Sequence, residues 1–118
     1  MTEKVVYISG PYRAEAEWRV RQNIADAAEA ASSVWALGAV AICPHKNSEG
    51  FGGLVDDEVI LRGDLKLLSM CDVVLMLLGW ESSTGATREH GAAEELGIPI
   101  VYDLLNLANW LDAQRVVA

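Results

Sequence analysis

Glu89 stands where a helix facing a packed sheet calls for a small apolar side chain. The stretch 80–97 reads WESSTGATREHGAAEELG, and in it Ala86, Glu89 or His90, Ala93 and Leu96 recur at three- and four-residue spacing, the period of one helix face. A carboxylate in that stripe can stabilise a developing positive charge, and it lies too deep in the helix to form a capping box with Ser83. The competing reading is a solvated glutamate at the stripe's edge, the usual setting for this residue type. Just upstream, Ser82 or Ser83 is placed to cap a helix starting near Thr84, which leaves the other N–H groups of the first turn free to hold an anion.

Other polar candidates cluster after short apolar runs. Residues 4–9 (KVVYIS) are β-rich and end at Gly10 and Pro11, a turn pair that leaves Tyr12 and Arg13 in the loop. Arg13 can grip a phosphate or carboxylate in a bidentate fork, or pair with Glu15 or Glu17. Residues 39–43 form a second short strand stopped by Pro44. His45, Lys46 and Asn47 then open a glycine-containing segment, 44–54, flexible enough to serve as a lid. Asp64 sits beside an apolar stripe of Ile60, Leu61, Leu65, Leu67 and Leu68, with a salt bridge to Arg62 or Lys66 as its plainer role. Asp56, Asp57 and Glu58 supply negative charge at the start of that helix.

The elements that position these residues follow from periodicity. Strands are expected at 4–9, 39–43, 73–78 and 98–101. Helices are expected at 15–37, from about 56 to 70, from about 84 to 96, and from 104 to about 116. The first carries Trp18, Ile24, Ala27 or Ala28, Ala31, Val34 and Trp35 at helical spacing, with Asn23 read as an ordinary polar position. Strands alternating with helices imply right-handed crossovers, a parallel sheet of order 2-1-3-4 and helices on both faces. In that order the loops at 10–13, 44–47 and 79–83 all emerge at the carboxyl edge, where ligands bind in open α/β sheets. Asp72 starts a strand and so belongs to the opposite edge. No spaced-glycine dinucleotide fingerprint and no P-loop lysine motif follows any strand, which argues against a dehydrogenase or an ATPase.

A chain of 118 residues, 52% hydrophobic, supports a single domain over 1–118 with one core. No apolar run approaches the roughly 20 residues needed to cross a bilayer, so no membrane partner and a cytoplasmic location are expected. Cys43 and Cys71 have no ligand spacing and read as reduced and structural, with neither a metal nor a cofactor implied. The net charge of −8 disfavours a polynucleotide partner, whose grip needs clustered lysine and arginine. A small anionic ligand needs only one or two local cations. Four tryptophans and a terminal amphipathic helix on a four-stranded sheet leave apolar surface, which points to a homodimer or higher homo-oligomer.

Ser83, Gly85 and Glu89, followed by Gly91 and Ala92, resemble the signature of the nucleoside 2-deoxyribosyltransferase superfamily, which includes deoxynucleoside 5'-monophosphate N-glycosidases and small uncharacterised members of the DUF4406 type. Residues 7–13 (YISGPYR) are similar to its first strand and phosphate or sugar loop, 44–47 (PHKN) to a loop of the small members, and 62–72 to the segment carrying a second carboxylate. The resemblance implies a Rossmann- or flavodoxin-like three-layer sandwich and a nucleoside or nucleotide as the small-molecule partner. It makes Glu89 the nucleophile at the sugar's anomeric carbon and Asp64 the second catalytic carboxylate. Ser9, Gly10, Arg13 and Ser83 would hold the 5' end beside Gly85, His45 and Asn47 would line the site, and Tyr12 or Trp80 would stack on the base. The activity implied is N-glycosidic hydrolysis, with transfer of the sugar to a second base and a non-catalytic nucleotide-binding or assembly module as the rivals. Pro11 departs from the pattern, replacing a serine common in the first loop, and Arg88 and His90 flank Glu89.

Overall fold

The computed structural model describes residues 3–117. Its strands are β1 (Val5–Ser9), β2 (Val40–Ile42), β3 (Val73–Met76) and β4 (Ile100–Val101). Between and after them run helices α1 (Glu17–Ala36), α2 (Pro44–Asn47), α3 (Asp57–Ser69), α4 (Thr84–Leu96) and α5 (Leu104–Val117). All strand pairs are parallel and the order is β2-β1-β3-β4, the order expected from the alternation of elements. The fold is an α/β, Rossmann-like sandwich.

Successive strand residues point to opposite faces, and the core divides accordingly. Val6, Ile8, Val73 and Leu75 meet Ala27 and Val34 of α1 and Leu107 and Leu111 of α5. Tyr7, Val74 and Met76 meet Leu68 of α3 and Ala86 and Ala93 of α4 on the other side. Each large apolar side chain buried in these layers contributes roughly 1.5–3 kcal/mol. Alanines on α1 and α4 let those helices approach the sheet closely. Because every helix returns the chain antiparallel to the strands, the starts of α3 and α4 lie at the carboxyl edge, beside the loop after β1.

Three local expectations are corrected. The segment from Pro44 is not loop throughout, since Pro44–Asn47 forms a helical turn with the proline at its first position, where a missing N–H costs nothing. Trp18 and Trp35 lie outside the inward stripe of α1, exposed by 62% and 57%, and Asn23 takes a buried place beside Ala27 and Val34. On α5 the spacing of Leu104, Leu107, Ala108, Leu111 and Val116 predicts one covering stripe, whereas Leu107 and Leu111 face the sheet and Leu104 and Val116 face solvent. Asp72 accepts a hydrogen bond from the Val5 N–H at 2.8 Å, at the amino edge as expected. No described helix is long and apolar enough to cross a membrane.

Candidate active site

The site is built where α4 lies on β1. Gly79, at φ 87°, turns the chain out of β3 into a single 3₁₀ turn, Trp80–Ser82. Ser83 then caps α4, its Oγ accepting from the Ala86 N–H at 3.2 Å, and Gly97 ends the helix in the left-handed region. Ala86, Glu89 and Ala93 are the buried residues of α4, so the inward stripe does hold a carboxylate.

Glu89 meets two hydroxyls of β1. Tyr7 and Ser9 are two residues apart and therefore share the face that α4 covers. Ser9 Oγ donates to Glu89 Oε1 at 2.7 Å, and the Tyr7 hydroxyl donates to Oε2. Both donors are fully buried and Glu89 is 7% exposed. Burial pushes the Glu89 carboxyl up to about 7; the two hydroxyl hydrogen bonds oppose that rise and the charge of Asp64 adds to it. Burial, then the carboxylate of Glu89, raises the Tyr7 hydroxyl far enough that it stays a donor at any physiological pH. Asp64, half-buried on α3, is raised to about 6 by burial. Two carboxyl groups thus sit close enough to sense one another with neither held in its usual acidic range.

The loop after β1 is pinned from two helices. His45 of α2 is buried, and its Nε2 donates to the Pro11 carbonyl at 2.8 Å, which puts the proton on that nitrogen because a carbonyl only accepts. Burial lowers the His45 pKa and keeps the ring neutral. Asn23 of α1 donates to the Tyr12 carbonyl at 3.1 Å, and the Tyr12 ring meets His45 edge-on. His45 and Asn23 therefore position the loop, a role that sequence reading did not give to Asn23. Gly10 has a packing reason of its own, since a Cβ there would come within 2.8 Å of Leu77. Gly85 is different. A Cβ on it would meet nothing within 4 Å, so the first turn of α4 has open space beside it.

The remaining expected residues divide. Arg13 pairs with Asp57 at the start of α3, not with Glu15 or Glu17; Glu17 pairs with Arg21. Asp56 caps α3 by accepting from the Glu58 N–H, and Glu58 pairs with Arg88, so the acidic run does more than bias the helix dipole. Trp80 stacks on His90 with centroids 4.3 Å apart and packs into the α3/α4 layer, which commits one ring face to the protein. His90 also reaches the Tyr102 hydroxyl at 2.8 Å. Asn47 is exposed and lines a shallow cleft of about 360 Å³ with Ala41, Ile42, Cys43, Lys46 and Leu67, at the outer side of β2 and apart from Glu89.

The family model described as domain of unknown function (DUF4406) matches residues 4–102. The chain belongs to that family. Among solved structures it is similar to the 2-deoxyribosyltransferase from the psychrotolerant bacterium Bacillus psychrosaccharolyticus, with a TM-score of 0.62, 20% identity, and coverage of 81% of this chain and 69% of that one. It is also similar to a conserved protein from Enterococcus faecalis V583, with a TM-score of 0.61, 21% identity, and coverage of 99% and 77%. At these identities the likeness is one of fold. No curated protein matches the sequence. The matched span of this DUF4406 member contains Glu89, the two hydroxyls that hold it, Tyr7 and Ser9, and Asp64.

Tyr7 was the residue missed. Its signal was available, because a tyrosine and a serine two apart in an otherwise apolar strand place two hydroxyls on one face.

Proposed function

We propose that this chain cleaves the N-glycosidic bond of a nucleoside or nucleoside 5'-monophosphate, with Glu89 as nucleophile. The observation that carries the reading is a carboxylate buried at the carboxyl edge and held through both oxygens by Tyr7 and Ser9. Such a carboxylate suits a cation-like sugar, whose charge it stabilises and whose anomeric carbon it can trap. Ionised Glu89 attacks that carbon; the carbon–nitrogen bond breaks and its electron pair leaves on the base. The Asp64 carboxyl supplies the proton the base needs; with Asp64 raised to about 6 and Glu89 to about 7, the reactive form, in which the proton sits on Asp64 and Glu89 is ionised, is the minor one of the two singly protonated forms in the free protein. Water then attacks the glycosyl-enzyme, giving its proton to Asp64 and returning Glu89 as carboxylate. Ser83 and Arg13 are assigned to the 5' end, with Gly10 shaping the loop and Gly85 leaving room beside them; Ser9, expected there, is fully buried and committed to Glu89. Tyr12 is left to flank the base.

The second reading, transfer of the sugar to another base, is supported by the fold shared with a 2-deoxyribosyltransferase. Exposed Trp18, Trp35, Leu78 and Leu105 support the proposal that the protein works as a homodimer or higher homo-oligomer. The test incubates wild type and Glu89→Gln with a panel of nucleosides and 5'-monophosphates, with and without an acceptor base, and follows free base by chromatography. Free base and sugar from wild type alone support the hydrolase, and a new nucleoside supports the transferase. No turnover by wild type would favour a nucleotide-binding module.

A further inference from the structure

We propose that Asp57 is a resident stand-in for the anionic group of the substrate, occupying the Arg13 guanidinium in the free protein and setting how tightly and selectively that group is captured. The inference rests on the reading of Arg13 as the anion holder given above.

Arg13 leaves a loop whose backbone is fixed by His45 and Asn23, so its guanidinium is presented at the carboxyl edge from a firm base. The partner it meets there comes from another element, the start of α3. Asp57 opens α3, while the nearer acidic residues of Arg13's own segment do not pair with it. Carboxylate and phosphate oxygens both accept from a guanidinium, here through Arg13 Nη2 and Asp57 Oδ1, so the two compete for it.

The surroundings fit exchange better than permanence. Both side chains of the pair are largely exposed, 71% for Arg13 and 63% for Asp57, so water screens the attraction and a dianion can displace the monoanion. Glu58, the next residue, is held by Arg88 of α4, one position before Glu89. Buried Leu68 holds α3 against the sheet, so the start of the helix stays beside the site when Asp57 lets go. Asp57 therefore remains close to the captured group as a like charge, which disfavours weakly charged anions less firmly held than a phosphate.

The experiment titrates inorganic phosphate, followed by NMR of the Arg13 side chain and neighbouring amides, into wild type and Asp57→Asn. Asp57→Asn is expected to bind phosphate roughly two- to fivefold more tightly at low salt, the equilibrium equivalent of one exposed ion pair. The gain disappears when Arg13→Ala is added. Glu95→Gln, which removes the same charge from an exposed position on α4, leaves the affinity unchanged and excludes a general charge effect. Unchanged or weaker binding in Asp57→Asn, tightening that persists without Arg13, or no phosphate binding by any of the proteins at millimolar concentrations overturns the proposal. Turnover is not read, so a protein that binds phosphate in this way yet cleaves nothing overturns the glycosidase reading and leaves this one standing.

Discussion

Glu89 and Asp57 are both carboxylates that meet donors at one edge of one sheet, yet they are built in opposite ways. Glu89 is 7% exposed, is held by two neutral hydroxyls and, among the described residues, forms no ion pair. The Asp57 side chain is 63% exposed and pairs with a guanidinium exposed to the same extent or more. A surface ion pair contributes about 0–1 kcal/mol and can be remade at little cost. A buried carboxylate without a counter-charge costs the folded state energy when it ionises, which is the sense of its raised pKa. The centre is thus preorganised at the expense of stability, and the rim is adjustable.

The comparison breaks most visibly at the centre. Glu89→Gln keeps the size of the side chain and removes the charge, so base release should fall by several orders of magnitude while binding and fold persist. Turnover at the wild-type rate would put the chemistry elsewhere.

Stability should report the same burial. A carboxyl whose pKa rises from 4.5 to about 7 on folding stays protonated in the folded chain while the unfolded chain ionises. Its contribution is complete below pH 4.5 and is lost as pH rises to 7. Between pH 5 and 7.5 the wild type should lose roughly 2 kcal/mol from this residue, and Asp64 adds a smaller loss of the same sign. Denaturant titrations at the two pH values should show a smaller loss for Glu89→Gln, and equal losses in both proteins would mean that Glu89 ionises freely.

Tyr7→Phe removes one of the two hydroxyls that favour ionised Glu89. With a hydrogen bond to a charged group contributing about 1.5–3 kcal/mol, the acidic limb of the kcat/KM profile should move up by roughly one pH unit or more. A drop in rate with no movement of that limb would make Tyr7 a packing residue only.

Gly85→Ala sharpens the contrast at the smallest scale. The new methyl meets no protein atom, and alanine suits a helix better than glycine by roughly 0.5–1 kcal/mol, so the protein should become more stable in denaturant titrations. If substrate fills the open space there, turnover should fall in the same variant. A gain in stability with unchanged turnover would move the ligand away from Gly85.

Much of this was legible in the chain, for physical reasons that differ by element. The alternation of short apolar runs with helical stripes fixed four strands and their order, because parallel crossovers admit few topologies. Glu89 showed itself as a charge in an apolar stripe, and the cap was narrowed to Ser82 or Ser83, of which the fold uses Ser83. Less was visible wherever a side chain's partner lies far away in sequence. Asn23 looked like an ordinary polar helix residue because its acceptor, the Tyr12 carbonyl, is a backbone atom in a loop. Arg13 had acidic neighbours in its own segment, and nothing local marked Asp57 as its partner. His45 and Trp80, read as ligand contacts, are committed to Pro11 and to His90, pairings that only the packed chain brings together.

The central claim is that the sugar becomes bonded to Glu89. Intact-protein and peptide mass spectrometry, on wild type mixed with a substrate found in the nucleoside and monophosphate panel and quenched in acid, tests it directly. The account predicts a mass gain of one sugar, or one sugar phosphate, on the peptide carrying Glu89, and no gain in Glu89→Gln. An adduct on another residue, or base release by Glu89→Gln at the wild-type rate, would contradict it.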